Sequence, residues 1–183
     1  ADDRFGISVS GAGDVNNDGY ADVIVGAYRD DNNGSDSGSA RVLSGIDGSI
    51  LYTFNGDNTG DYFGYSVDLD YDPVLNRHRL AVIAPRDDGV AGSNSNHGRV
   101  YLFTFTDDSF SGAAHTASVC ADCAAQIGGK HLTKLLVDSA GAAPNFNGVA
   151  LDGNYLAISS YNADGNGGDD TGDVYIYSFS HLS

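Results

Sequence analysis

The chain has 183 residues, 41% of them hydrophobic and 25 of them glycine, which is enough for one buried core and excludes collagen, coiled coil and Pro-rich linker protein. Nine Lys and Arg against 25 Asp and Glu leave a net charge of −16, so the basic footprint that nucleic acid or an anionic membrane surface requires is missing. No apolar run approaches the roughly 18 residues needed for membrane insertion, whereas a surplus of carboxylates suits divalent cations or a solubilising surface.

Apolar residues come in short runs bounded by Gly, Asn, Asp and Ser, the pattern of strands and turns, and no helical stripe of useful length is present. The runs recur in a fixed order. Phe5-Gly6-Ile7-Ser8-Val9 predicts a first strand, Ala21-Asp22-Val23-Ile24-Val25-Gly26-Ala27 a second, Gly38-Ser39-Ala40-Arg41-Val42-Leu43 a third and Ser49-Ile50-Leu51-Tyr52-Thr53-Phe54 a fourth. A second unit repeats this with Phe63-Gly64-Tyr65-Ser66-Val67, then residues 80–85, then residues 98–103, with its fourth strand assigned to residues 130–137. The stretch of about 107–129 is then an insertion in the hairpin joining its third and fourth strands. A third unit opens degraded, Phe146-Asn147-Gly148-Val149-Ala150, and continues with residues 155–160 and 172–177 but has no evident fourth strand.

The units fall at about 1–57, 58–140 and 141–183. Four short antiparallel strands repeated at tens of residues predict an all-β chain of β-propeller blades, the last one incomplete. A blade buries both faces against its neighbours, so the Phe of each Phe-Gly pair is expected to anchor packing between blades.

The chemistry-bearing motif lies between the first two strands: Asp14-Val15-Asn16-Asn17-Asp18-Gly19-Tyr20-Ala21-Asp22. Oxygen side chains fall at relative positions one, three, five and nine, Gly sits at six where a tight loop needs it, and Tyr20 at seven offers its backbone carbonyl. Such alternation wraps a hard cation, calcium in preference to magnesium, because alternate residues of a curling loop converge while Val15 and Asn17 point away. The loop is not an EF-hand, since Val25 stands at position twelve and strands flank it. The second unit has Asp68, Asp70 and Asp72 followed by Pro73, and Arg77, His78 and Arg79 are placed to brace that hairpin instead of a metal. Acidic loops at 30–36 and 162–170 read as solvated turns, with a weak second cation site as the alternative.

Cys120 and Cys123 form a C-x-x-C pair, read as a strained local disulfide or two free thiols, because one pair cannot build a zinc site without further ligands such as His115 and His131. The chain begins at Ala1 without a signal peptide, as a mature secreted product or a piece of something longer would. There is no G-x-S-x-G elbow, P-loop or dinucleotide fingerprint, and the five histidines sit singly among different units, so a non-enzyme is expected.

Phe5-Gly6, the loop 14–22 and Val25-Gly26-Ala27-Tyr28 together resemble the FG-GAP repeat, which forms the blades of the integrin α-subunit β-propeller and of many bacterial surface proteins. In the second unit Ala84-Pro85 stands at the family's "GAP" element; in the third, Ser160-Tyr161 replaces "AP". The resemblance implies calcium held by Asp14, Asn16, Asp18, Tyr20 and Asp22 on one propeller face, an extracellular or cell-surface location, and adhesion or binding of a protein or glycan ligand. Three blades cannot close a ring of four or more. The expected object is therefore a partial propeller, a fragment of a longer one or one completed by self-association with other copies, as in a self-assembling structural subunit.

Overall fold

The computed structural model describes residues 2–73, 76–87, 98–105, 115–118, 126–127, 130–131, 135–138, 146–153, 155–160 and 172–178. β1 (Ser8–Gly13), β2 (Asp22–Ala27), β3 (Ser39–Leu43) and β4 (Ile50–Asn55) pair antiparallel in chain order. β5 (Ser66–Asp72), β6 (Arg77–Ala84) and β7 (Arg99–Phe105) form the second sheet in the same way. β8 (His115–Ser118), β9 (Gln126–Ile127), β10 (Lys130–His131) and β11 (Leu135–Asp138) follow, and β11 closes the second sheet on the β7 edge. β12 (Phe146–Asp152), β13 (Tyr155–Ser160) and β14 (Asp173–Ser178) form a third sheet of three strands.

The architecture is the expected all-β stack of propeller blades, open rather than closed. Two details differ from the sequence reading. The insertion does not stay within the second unit: β8 pairs parallel with β4, making the first sheet five-stranded. An outer strand presents a row of unpaired backbone groups, and any extended segment within reach can take them. The fourth strand of the second sheet also starts later than residue 130, at Leu135, because Lys130 and His131 pair with Ile127 and Gln126 instead. The sequence Gly128-Gly129 between those pairs is a dipeptide that favours a two-residue hairpin.

Strand alternation explains how the blades stack. Side chains of successive residues point to opposite faces, so each blade has two packing faces. Ile24, Ala40, Val42 and Phe54 of the first blade share a core with Val67, Leu80, Val82, Tyr101 and Phe103 of the second. The other face of the second blade, Ala81, Ile83, Val100 and Leu102, forms a separate core with Phe146, Leu151, Leu156 and Ile158 of the third. Phe63 and Phe146 are both buried at these seams, as the packing-anchor reading expects, whereas Phe5 is 51% exposed, because among the described residues no blade packs on the β1 side of the first.

The innermost strands β1, β5 and β12 lie side by side. The first seam is close enough to require glycine: a Cβ on Gly26 would lie 2.0 Å from the Gly64 carbonyl oxygen, and one on Gly64 (φ 87°) 2.1 Å from that of Ser39. This is why the Phe-Gly of the second unit and the Gly of Val25-Gly26-Ala27 are matched.

Candidate functional site

The loop between β1 and β2 is shaped by three residues in the left-handed region, Gly13, Asn17 and Gly19 (φ 64°, 58° and 91°). A register shift between Gly11 and Gly13 turns the chain out of the strand pair. Val15 is buried in the first core and Asn17 is exposed, so both point away from the loop interior. The oxygens turn inward onto the loop's own amides. Asp14 accepts from Asp18 N at 2.9 Å and Gly19 N at 2.8 Å, Asn16 Oδ1 accepts from Asp18 N at 3.2 Å, and Asp18 Oδ1 accepts from Tyr20 N at 2.9 Å. Asp22, the first residue of β2, is buried and ties the loop to the blade by accepting from Val15 N at 2.8 Å and Gly45 N at 3.0 Å. The Tyr20 side chain is exposed.

The donor set fits a hard divalent cation: three carboxylates, an amide oxygen and a backbone carbonyl, in a loop already curled around them. The three carboxylates do not converge within 4.8 Å of one another, so binding an ion would have to draw them together.

The corresponding hairpin of the second blade takes its positive charge from the chain. Ala27 and Ala84 hold matching places in β2 and β6, pairing with Ser39 and Arg99, so Arg79 stands where the first blade has Asp22. Its guanidinium is 1% exposed, grips Asp70 through Nε and Nη2 at 3.0 Å each, and reaches Asp72 at 3.4 Å.

Among the described residues, the group of three carboxylates whose oxygens lie within 4.8 Å of one another is Asp57, Asp61 and Asp87. The sequence reading did not single it out. Asp57 and Asp61 lie in the connector from the first blade to the second, and Asp87 follows β6. Burial, and then the charge of Asp87, push the Asp61 carboxyl up to about 8, against a smaller opposing effect of its hydrogen bond from Asn58. Tyr101 donates to Asp87, and Arg99 Nε lies 3.6 Å from it. A proton on Asp61 and the charge of Arg99 therefore balance much of the cluster from within the chain. Asp30 holds the place in the first blade that Asp87 holds in the second, accepting from Ser39 Oγ at 2.7 Å and pairing with Arg41. That carboxylate of the 30–36 loop is thus engaged by the chain itself. Cys120, Cys123 and the loop 162–170 lie outside the described residues, as do the side chains of His115 and His131.

At the opposite end of β2 from the oxygen-rich loop, Tyr28, Tyr62 and Tyr65 cluster over the first seam. Tyr28 meets Tyr62 and Tyr65 edge-on at 5.0 and 5.4 Å, and the Arg86 guanidinium lies 4.4 Å above the Tyr62 ring and donates to its hydroxyl at 3.1 Å. Arg29, the first-blade counterpart of Arg86, lies 5.6 Å over Tyr28. Tyr62 has φ 60°, an uncommon conformation for a bulky residue and of the kind found at binding sites. The signal for it in the sequence is Tyr-Phe-Gly after an acidic turn, which reads as core packing until the seam is seen.

Stacked blades built on antiparallel strands paired in chain order, an oxygen-lined loop inside the first hairpin and aromatic side chains over the seam define an open β-propeller repeat protein. Residues 5–43, spanning β1 to β3, match the FG-GAP repeat. The chain is 30% identical over 102 residues to Integrin alpha-6 of Gallus gallus, covering 50% of this chain and 8% of that protein. It is 32% identical over 99 residues to Integrin alpha-6 of Homo sapiens, covering 49% and 8%. It thus spans under a tenth of the length of these relatives. The first blade is an FG-GAP repeat, and the stack is of the integrin α-like propeller kind. Among the described residues no helix is long and apolar enough to cross a membrane.

Proposed function

We propose that this chain is a non-enzymatic, calcium-braced propeller segment that works outside the cell as an adhesion or ligand-binding module. The observation that carries the binding role is the Tyr28, Tyr62, Tyr65 and Arg86 cluster, since rigid aromatics with an adjacent arginine are the residue types that dominate binding energy at interfaces. A protein or glycan ligand fits that chemistry.

The brace is assigned to Asp14, Asn16, Asp18, the Tyr20 carbonyl and Asp22. Bound calcium supplies the positive charge that lets three carboxylates share one small loop. Asp22 does its part by anchoring the loop to Val15 and Gly45, so a fixed loop fixes the start of β2 and, through that strand, Tyr28 at its far end.

Thermal unfolding with calcium and with chelator, on the parent chain and Asp18→Ala, tests the brace. The expected result is a melting temperature that rises with calcium in the parent and not in the variant, because a ligand at about 100 times its Kd adds about 2.7 kcal/mol. Equal curves would remove the metal. Capture of extracellular-matrix proteins and glycans by the parent and by Tyr62→Ala tests the binding face. Equal capture by both would move the ligand site elsewhere.

A second reading is a structural subunit completed by neighbouring chains; the exposed Val9 and Val23 on one side of the stack and Val174 and Ile176 on the other are faces that a further blade, of the same polypeptide or of another, would cover.

A further inference from the structure

We propose that the contact between Asp61 and Asp87 is a proton-operated latch that sets whether Tyr62 and Arg86 are held together on the binding face. The inference rests on the binding role given above to the Tyr28, Tyr62, Tyr65 and Arg86 cluster, and adds a regulator to that site.

Two dipeptides cross where the first blade meets the second. Asp61-Tyr62 belongs to the connector between the blades, and Arg86-Asp87 to the chain leaving β6. The two acids turn inward and are 4% and 1% exposed, while Tyr62 is half-buried and Arg86 exposed. The backbones are joined at the crossing, where Arg86 N donates to the Asp61 carbonyl oxygen at 3.2 Å. On the outer side Arg86 Nη1 donates to the Tyr62 hydroxyl at 3.1 Å, and its guanidinium lies 4.4 Å from the ring centroid. On the inner side, oxygens of Asp57, Asp61 and Asp87 lie within 4.8 Å of one another. Each inner acid is the chain neighbour of one member of the outer pair. Whatever pushes the acids apart therefore pulls the tyrosine from the arginine.

The inner pair is set to be pushed. The groups that face Asp61 are Asp57 and Asn58 of its own connector and Asp87 beyond β6, with Tyr101 and Arg99 of β7 against Asp87. The positive charge among them is Arg99, whose Nε lies 3.6 Å from Asp87, and Tyr101 donates to the same carboxylate. Both favour Asp87 as the ionised member. Asp61 accepts instead from a neutral group, Asn58 Nδ2, at 3.2 Å. Burial and the charge of Asp87 hold the proton on Asp61 up to about pH 8. Its loss leaves two buried like charges side by side, which repel strongly where little water screens them.

The outer pair has a second arrangement open to it. Tyr62 has φ 60°, a conformation that a bulky residue keeps only where its surroundings impose it. The first blade holds it through Tyr62 N, which donates to the Asp36 carbonyl oxygen at 3.2 Å, and the second blade holds it through Arg86. Parting Asp61 from Asp87 removes the second hold and lets the Tyr62 backbone relax. Closed and open forms of this corner are then two states whose balance the proton sets. Protonation favours the closed form, so the face is intact below about pH 8 and is lost above it. By linkage, a ligand that engages Tyr62 and Arg86 together strengthens the hold of Asp61 on its proton.

Nuclear magnetic resonance of the parent chain and Asp61→Asn, from below to above pH 8 in chelator, tests the latch. Arg86 side-chain protons above the Tyr62 ring are shifted upfield by its ring current. In the parent that shift is expected to collapse in step with titration of the Asp61 carboxyl carbon. In Asp61→Asn it is expected to persist at every pH, because no charge can form. Unchanged amide signals from β2 and β6 confirm that the blades stay folded. An Arg86 shift that ignores the Asp61 titration overturns the latch, and so does one that collapses equally in Asp61→Asn. Capture of extracellular-matrix proteins and glycans is expected to fall in the parent by up to about tenfold per pH unit above the Asp61 titration, and to hold in Asp61→Asn. Capture by Tyr62→Ala below pH 8 tests the binding reading by itself. Equal capture by Tyr62→Ala and the parent overturns that reading and leaves the Arg86 titration standing. Weakened capture with a flat Arg86 shift overturns the latch and leaves the reading.

Discussion

The amide of Leu151 donates to Asp68 Oδ2 at 2.6 Å, across the seam between the second and third blades. Asp68 sits mid-ladder: Val149 N donates to Ser66 Oγ at 3.2 Å and Gly153 N to Asp70 Oδ2 at 3.1 Å, so alternate side chains of β5 take alternate amides of β12. On the first seam Val67 N donates to Ser8 Oγ at 3.0 Å, and Ser10 donates to Asp68. The innermost edge of a blade has backbone amides with no fifth strand to take them, and buried amides must find an acceptor. The neighbouring blade supplies one from its side chains. Asp68 therefore serves both seams at once.

Asp68→Ala is expected to cost about 2–3 kcal/mol, since it removes a charged acceptor from two amides, Leu69 and Leu151, and one hydroxyl, Ser10. Asp68→Asn keeps an acceptor and is expected to lose less than half of that. Urea unfolding of both variants checks the pair; equal losses would mean that the carboxylate acts through charge alone.

The first and second hairpins should answer differently to chelator. Arg79 is a buried cation facing Asp70 and Asp72, so Arg79→Met leaves two carboxylates close together without it. The expected loss is about 3–5 kcal/mol, and it should be the same with calcium or chelator present. Asp14→Ala is expected to lose stability in calcium and little in chelator. Melting curves of the two variants under both conditions separate a built-in cation from a bound one.

The blades were legible in the sequence because each rests on local alternation: Val23 to Ala27, Leu80 to Ala84 and Leu156 to Ser160 carry the same run of apolar residues with the same Gly-led partner strand. The order of oxygens from Asp14 to Asp22 was legible for the same reason, being contained in nine consecutive residues. Asp57, Asp61 and Asp87 were not, because the cluster forms only when the inter-blade connector meets the end of β6, where Arg86 N donates to the Asp61 carbonyl at 3.2 Å. β8 was hidden differently. Its pairing with β4 is backbone to backbone and parallel, and such a contact imposes no residue pattern. The inter-blade ladder escaped notice because Ser66, Asp68 and Asp70 read in one dimension as the polar face of an ordinary strand.

Asp61 gives the stack a pH dependence of definite sign. Its carboxyl titrates at about 8 in the folded chain against 3.8 as the ordinary value. Between those values the folded state holds a proton that the unfolded state has lost. The stability from this group is full below about pH 4 and drains away as pH rises through 8. Asp61→Asn cannot ionise, so its stability relative to the parent should improve with rising pH, by up to about 1 kcal/mol per unit across that window. Denaturant midpoints of parent and variant at pH 5, 6.5 and 8 measure it. A constant difference would mean that Asp61 is already ionised at pH 5.

Two glycines of the first blade, both in strands and both free of positive φ, should separate seam contact from strand propensity. A Cβ on Gly26 would lie 2.0 Å from the Gly64 carbonyl oxygen, whereas nothing lies within 4 Å of one on Gly11. Backbone cannot swing aside as a side chain does, so Gly26→Ala must part the first two blades. Phe63, Val67, Ile24 and Ala40 would then lose contact together. The cost is expected at the upper end of the about 1–3 kcal/mol typical of overpacking. Gly11→Ala should fall within about 0.5 kcal/mol of the parent. Gly64→Ala combines a contact of 2.1 Å to the Ser39 carbonyl oxygen with φ 87°, so it should be the worst of the three. The second seam has Ile83 at the place of Gly26, packed in the core with Phe146, so the same close approach is not used there. Chemical denaturation of the three variants should therefore rank them Gly64, Gly26, Gly11 in decreasing damage, and a Gly26→Ala protein as stable as Gly11→Ala would show that the blades can separate at the first seam without loss.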